Sequence, residues 1–514
     1  MDPISNKELL LLRNQRNDLV DSDSSNIEYY KKEILNPEEK HEQLSRFQKW
    51  KRAYHKFDQT ILVVMCFTYF LQGFRTFHML SVKDLFRLYL NLEADYTQFL
   101  VSLISLPWSF KLIYGLIADN FPILGSRRKS YVIVNGFLQF ATLFILGMDL
   151  TQNEVTITVM LIMNSMNMAF IDVVVDALMV QQSRRDIDQG SEDLQGLNWL
   201  FLAVGGISGS VCSAFFTQFL KPKNAFHLAS IFGLIMVVFA LFIDVKSENI
   251  LETSQENLLR KEGFLFNLKR NWKEIKVAVQ IPEIYKTLTY LLLAGLIVPQ
   301  FGDMTYYFQL NIIKFTKFTQ SMLGVLSFIS LLFGVLLYTR FFRQKEFRTM
   351  LTYAIYLNIF GCVMGLTQAL RYNLMIGIGD ITFVVFTSSI TDTLQLALSQ
   401  LPLLVLFAKI TPFYIEATVF ALLTGFYNFS NFTLSPMIGV LINRIFIHVT
   451  NDKLDNFYLL LIIQSVLAPI PLILLRLIPL RKDMHILQQK HHQESLLNES
   501  SQDQSDFLDK SQKL

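Results

Sequence analysis

Long apolar runs alternate with short polar ones through most of the chain, and their length fits a helix that crosses a bilayer, which needs roughly 20 apolar residues. Runs of that kind fall at Thr60–Phe77, Phe99–Ala118, Val132–Met148, Val155–Val180, Leu197–Phe219 and Phe226–Phe242. After a polar interval more follow at Thr287–Phe308, Met322–Phe341, Met350–Leu370, Phe383–Ala408, Ala417–Ile442 and Phe457–Leu477. The pattern predicts an all-α membrane protein of about twelve transmembrane helices in two six-helix bundles, at 59–244 and 287–480. The flanking segments read differently. Residues 1–58 are polar and charged, which predicts a tail with no cleavable leader. Residues 245–286, rich in Lys, Glu and Asn, predict a central loop, in which Trp272 and its apolar neighbours fit a helix on the membrane surface. Residues 481–514, full of Gln, Ser, His and Asp, predict a disordered tail.

The basic loops orient the bundle. Arg127–Lys129, Arg184–Arg185, Arg340–Arg348 and Arg481–Lys482 all fall on one side, with the central loop and both tails. By the positive-inside rule that side is cytoplasmic. The loop YTRFFRQKEFR after the eighth run occupies in the second half the place that GSRRKS occupies in the first. Two repeated halves with a site between them are a transporter pattern.

Composition narrows the class. Of 514 residues 52% are hydrophobic and 17% charged, against roughly a quarter charged in soluble domains. The 45 phenylalanines far outnumber the 19 tyrosines, as side chains facing lipid need no hydroxyl partner. A net charge of +3 gives no reason to expect nucleic acid as a partner. Cys66, Cys212 and Cys362 sit singly in separate apolar runs and predict neither a metal site nor a disulfide. No nucleophile with a base appears, so neither an enzyme nor a cofactor is expected.

Charges inside the apolar runs mark a polar path. A charged side chain at the bilayer centre costs on the order of 2.5–3.5 kcal/mol on insertion scales, so several of them need a reason. In the fourth run Asn164, Met168, Asp172 and Asp176 lie four apart, on one helical face. Ser388, Asp392, Gln395 and Ser399 form a similar stripe in the tenth. The seventh holds Pro299, Asp303 and Tyr306; the eleventh opens with Glu416 and continues with Asn428 and Asn431. Arg75 and Lys111 are the opposing cations in the first and second.

The hairpin after the second run carries the most specific pattern: Gly115-x-x-x-Asp119, a Phe-Pro turn, then Arg127, Arg128 and Lys129. It resembles the signature loop of the major facilitator superfamily. That resemblance implies a charge relay of Asp119, Arg127, Arg128 and Lys129 that gates the cytoplasmic side. Within that fold the chain resembles the folate–biopterin transporter family. The resemblance runs through Gln72-Gly73, Lys83-Asp84, LPWSFKLIYGLIADNFPILGSRRKSY (Leu106–Tyr131), DVVVDALMVQQSRR (Asp172–Arg185) and GLNWLFLAVGG (Gly196–Gly206). It continues in Pro299, Asp303 and Tyr306, Gly334 with Tyr338, Gly379-Asp380, and LPLLVLFAKITPFYIEATVFALLTGFYN (Leu401–Asn428). The chain departs from the family at Leu112, where Pro is usual, and at Thr411-Pro412-Phe413-Tyr414, where Cys-Pro-x-Gly is typical.

The resemblance implies uptake of folate, biopterin or related pteridines, coupled to protons. The chemistry of such a substrate then assigns expected roles. Arg75 and Lys111 would pair with substrate carboxylates, Arg through its bidentate fork. Asp172, Asp303 and Asp392 would accept hydrogen bonds from the heterocycle, and Tyr306 would stack on it. Asp172, Asp176 or Glu416 would take the coupling proton. Two alternatives stay open: a facilitator of another small solute, such as the cation S-adenosylmethionine, and a receptor that binds without transport. A monomer is expected, with the plasma membrane as the default location and an internal membrane as the alternative.

Overall fold

The first span begins where Asp58 offers its carboxylate to the Thr60 and Ile61 amides, at 2.9 and 3.2 Å. That satisfies donors that a helix leaves open in its first turn. The structure is a computed structural model and describes residues 57–126, 128–183, 190–219, 221–243, 264–342, 345–411 and 416–482. Nearly all of both tails, the first part of the central loop, Arg127 and Arg184–Arg185 lie outside the described residues.

Eleven helices among the described residues are long and apolar enough to cross a membrane. The first six are Gln59–Tyr89, Ala94–Ala118, Lys129–Gly147, Glu154–Ser183, Asp193–Phe216 and Pro222–Leu241. The others are Pro282–Asn311, Lys317–Phe342, Phe347–Ala369, Asp380–Phe407 and Lys453–Leu477. Helix also runs without a break over 416–447, through alternating α and π segments. This is the expected eleventh span; Asn428, Asn431, Asn443 and Arg444 make it more polar than the rest. We number the spans one to twelve in chain order. Phe137, Phe333 and Ile473 are each more than half exposed on the outside, as a lipid-facing surface requires.

Two spans differ from the expectation for physical reasons. The first runs on past its expected end at Phe77 to Tyr89. Its extra turns carry Lys83, Asp84 and Arg87, whose charges are tolerated because each finds a partner on another span. The seventh is broken: helix ends at Ile297 and resumes at Gly302, because Pro299 lacks an amide N–H. The eleventh span repairs the gap, with the Ser435 carbonyl accepting from the Gln300 N–H at 3.2 Å and the Ser435 hydroxyl donating to the Val298 carbonyl.

Close backbone crossings hold the first half together. A Cβ on Gly205 would fall 2.0 Å from the Phe70 carbonyl oxygen, and one on Gly73 would fall 2.0 Å from that of Leu202. The first and fifth spans therefore touch backbone to backbone, as small residues allow in a membrane. The fifth then meets the eighth, with Trp199, Ala203, Leu331 and Val335 in one apolar cluster. Residues 264–279 form a helix, where one was expected around Trp272. It buries Ile275 and Ala278 in a cluster with Leu116, Ile284 and Phe420, so it touches both halves, and it leaves Trp272 exposed.

Candidate functional site

Pro107 converts the second span to a 3-10 turn over Leu106–Phe110, since it cannot donate to the preceding turn. The turn swings Trp108 and Lys111 toward the fourth span. There the four-residue spacing presents Asp172 and Asp176 on one face, as expected. Lys111 is ion-paired with Asp172 and lies 3.6 Å from Asp176. Gln72 donates its amide to Asp172, and Tyr69 donates its hydroxyl to Asp176 at 2.7 Å. The three charges are almost fully enclosed, with Lys111 7% and Asp172 2% exposed. Charges at that depth persist only when paired and hydrogen-bonded.

A small, narrow cleft adjoins this cluster, lined by Lys111, Gly115, Arg128, Asp176, Phe420 and Thr424. It lies between the second and fourth spans of one half and the eleventh of the other. Arg128 is buried in its wall rather than set in a surface loop. Deeper in, Trp108 carries two cations against its ring: the Arg75 guanidinium at 5.7 Å and the Lys111 ammonium at 5.5 Å from the centroid. Its indole N–H donates to Ser165 at 3.1 Å, and its carbonyl accepts from Asn428 of the eleventh span at 3.3 Å.

At the end away from the basic loops, the halves are pinned by ion pairs. Lys83 meets Asp303 at 2.7 Å, Lys317 meets Asp84 at 2.8 Å, and Arg444 meets Asp95 at 2.9 Å. Arg87 donates to Asn311, Tyr307 and Thr97 share a 2.8 Å bond, and Gln98 donates to the Gln300 and Pro436 carbonyls at 2.8 and 2.9 Å. Every one of these contacts joins the first half to the second. This end is sealed, while the cleft beside Lys111 lies toward the basic end.

The expected site residues therefore separate. Arg75, Lys111, Asp172 and Asp176 come together. Asp303 and Tyr306 do not join them: they belong to the sealed end. There Lys83 lies over the Tyr306 ring at 5.1 Å and the Tyr306 hydroxyl donates to Asp84 at 3.3 Å, so the ring face expected to stack on substrate is covered. Asp392 also stands apart. Its carboxylate sits on the contact with the ninth span, 2.5 Å from where a Cβ on Gly361 would be. Lys129 donates to the Leu241 and Ile243 carbonyls at 2.7 and 2.9 Å. It therefore caps the sixth span within its own half. The Asp119 and Glu416 side chains, like Arg127, lie outside the described residues. Sequence reasoning assigned no role to Tyr69, Trp108 or the Asp84, Asp95, Lys317 and Arg444 pairs; Lys83-Asp84 and Trp108 entered only through the family resemblance. Among the described residues no group of His, Cys, Asp and Glu is arranged to hold a metal.

Comparison with known proteins adds the family. The profile of the BT1 family matches residues 72–499. The chain is 25% identical over 475 residues to "Probable folate-biopterin transporter 4" of Arabidopsis thaliana, covering 82% of this chain and 96% of that one. It is 28% identical over 423 residues to "Folate-biopterin transporter" of Synechocystis sp., covering 81% of each. Among solved structures it is similar to a D-xylose-proton symporter, with TM-score 0.58 across 82% of this chain and 98% of that one, at 11% identity. At that identity the likeness speaks for the fold alone, which is the major facilitator fold.

Proposed function

The chain belongs to the BT1 family and is a multi-pass membrane transporter rather than an enzyme; from that premise we propose that it imports a pteridine such as folate or biopterin by proton-coupled alternating access. The moving bodies in this reading are residues 59–244 and 287–480, with the basic end in the cytosol. The observation that carries it is the Lys111–Asp172–Asp176 cluster, enclosed beside a cleft between the halves while the other end is sealed. Two carboxylates share one ammonium there. With both ionised the cluster bears one uncompensated negative charge, and a proton on Asp176 removes it. Proton binding and cleft closure are thereby linked, because an uncompensated charge resists transfer into a dry interior. The names of the relatives support a pteridine as cargo.

The test uses purified protein in sealed vesicles with labelled folate and biopterin. An imposed inward proton gradient drives accumulation by the wild type. Asp176→Asn retains exchange of labelled for unlabelled solute and loses the response to the gradient. Uptake no faster than in empty vesicles refutes the transport reading, and a gradient response preserved in Asp176→Asn refutes the coupling role.

A further inference from the structure

The cations between the halves are not equivalent. Lys111 is neutralised twice over by Asp172 and Asp176. Lys83, Lys317 and Arg444 each have a carboxylate, and Arg87 has the Asn311 amide oxygen. Arg75 differs from them all. It sits in the middle of the first span, at the joint between Gln59–Phe74 and Thr76–Asp84. It is half-buried, and its guanidinium rests on the Trp108 ring with the buried His78 nearby; among the described residues no carboxylate, carbonyl or amide bonds it. A guanidinium held in a membrane interior without a counter-ion is costly. It is also the side chain best shaped to grip a carboxylate with two parallel bonds.

From this charge arithmetic we infer that Arg75 is the anion site of the transport path, so that the solute carries a carboxylate, which docks on Arg75 and not on Lys111. The inference rests on the transporter reading and sharpens it to a substrate class. A glutamate-tailed pteridine supplies a carboxylate for Arg75. A tail-free pteridine leaves Arg75 unpaired, and a cationic solute is repelled by it.

Three solutes separate the possibilities: folate, tail-free biopterin and the cation S-adenosylmethionine, each taken up by vesicles containing wild type, Arg75→Gln or Arg75→Lys. The wild type prefers folate. Arg75→Gln raises the folate concentration for half-maximal uptake at least tenfold and changes that for biopterin less than twofold. Arg75→Lys keeps the charge, loses the fork and falls between. Equal loss for folate and biopterin in Arg75→Gln overturns the inference, as does unchanged folate uptake. If Arg75→Gln does not fold, Arg75→Lys decides: a folate-selective loss supports the anion site, and a parallel loss for both pteridines overturns it. A wild type that takes up only the cation overturns it as well. A wild type that accumulates none of the three fails at the earlier step, the transport reading itself.

Discussion

Replacing Lys111 with methionine keeps the length of the side chain and removes the one cation that Asp172 and Asp176 share. Lys111 and Asp172 are 7% and 2% exposed, so water does not reach in to compensate. Breaking a buried ion pair by removing one partner costs about 3–5 kcal/mol, and Lys111→Met is expected to lose that much stability. Asp172→Asn is milder, because Lys111 keeps Asp176 at 3.6 Å; a lost charged hydrogen bond of this kind costs about 1.5–3 kcal/mol. The double variant leaves a single carboxylate that accepts the Tyr69 hydroxyl. It should lose less than the sum of the singles by about 2 kcal/mol, within the range for residues in one network. The assay is a denaturant titration in mixed micelles, run on all four proteins. Strictly additive losses, or a Lys111→Met protein as stable as the wild type at neutral pH, would refute the claim that these charges act as one unit.

Other consequences are read as simply. Asp84→Asn removes the partner of Lys317, and with a contribution of about 1–2 kcal/mol the sealed end should open five- to thirty-fold more often; a cysteine placed by Thr97→Cys should then label faster with an impermeant thiol reagent, and an unchanged rate contradicts the lock. Gly205→Ala drives a methyl to 2.0 Å from the Phe70 carbonyl and should cost about 3 kcal/mol or more by overpacking. Gly365→Ala, where a Cβ meets nothing within 4 Å, should be neutral or up to about 1 kcal/mol stabilising; expression and thermal melting check both. Lys129→Ala removes a cation from the C-terminal end of the sixth span and should cost about 0.3–1 kcal/mol while leaving KM unchanged, where a gating role predicts a change in uptake kinetics.

The spans were legible because lipid imposes a length on every apolar run, and the acidic face of the fourth because helical periodicity alone puts Asp172 and Asp176 together. Which cation they meet was not legible. Partner choice depends on helix crossings such as the Gly73–Gly205 contact and on the turn at Pro107, and neither has a sequence period. The same gap explains the misread ends. Lys83 and Asp84 resemble a loop until Asp303 and Lys317 are seen to neutralise them across the interface. Asp303 and Tyr306 lie in a span with the right polarity for a binding site, yet the break at Pro299 and the span's direction carry them to the sealed end. Ser388, Asp392, Gln395 and Ser399 read as one stripe, but a π-helical stretch over Val385–Asp392 shifts Ser388 out of the register that a regular helix would keep, and Asp392 faces Gly361 of the ninth span.

Spin labels at both ends of the bundle would put the alternating-access account to its most direct test. One pair, at Leu88 and Lys314, spans the sealed end; the other, at Leu124 and Lys345, spans the basic end. On adding folate under an imposed proton gradient, the account predicts a second population in which the first distance lengthens while the second shortens. Distances that stay fixed at both ends, or that change together in the same direction, would contradict it.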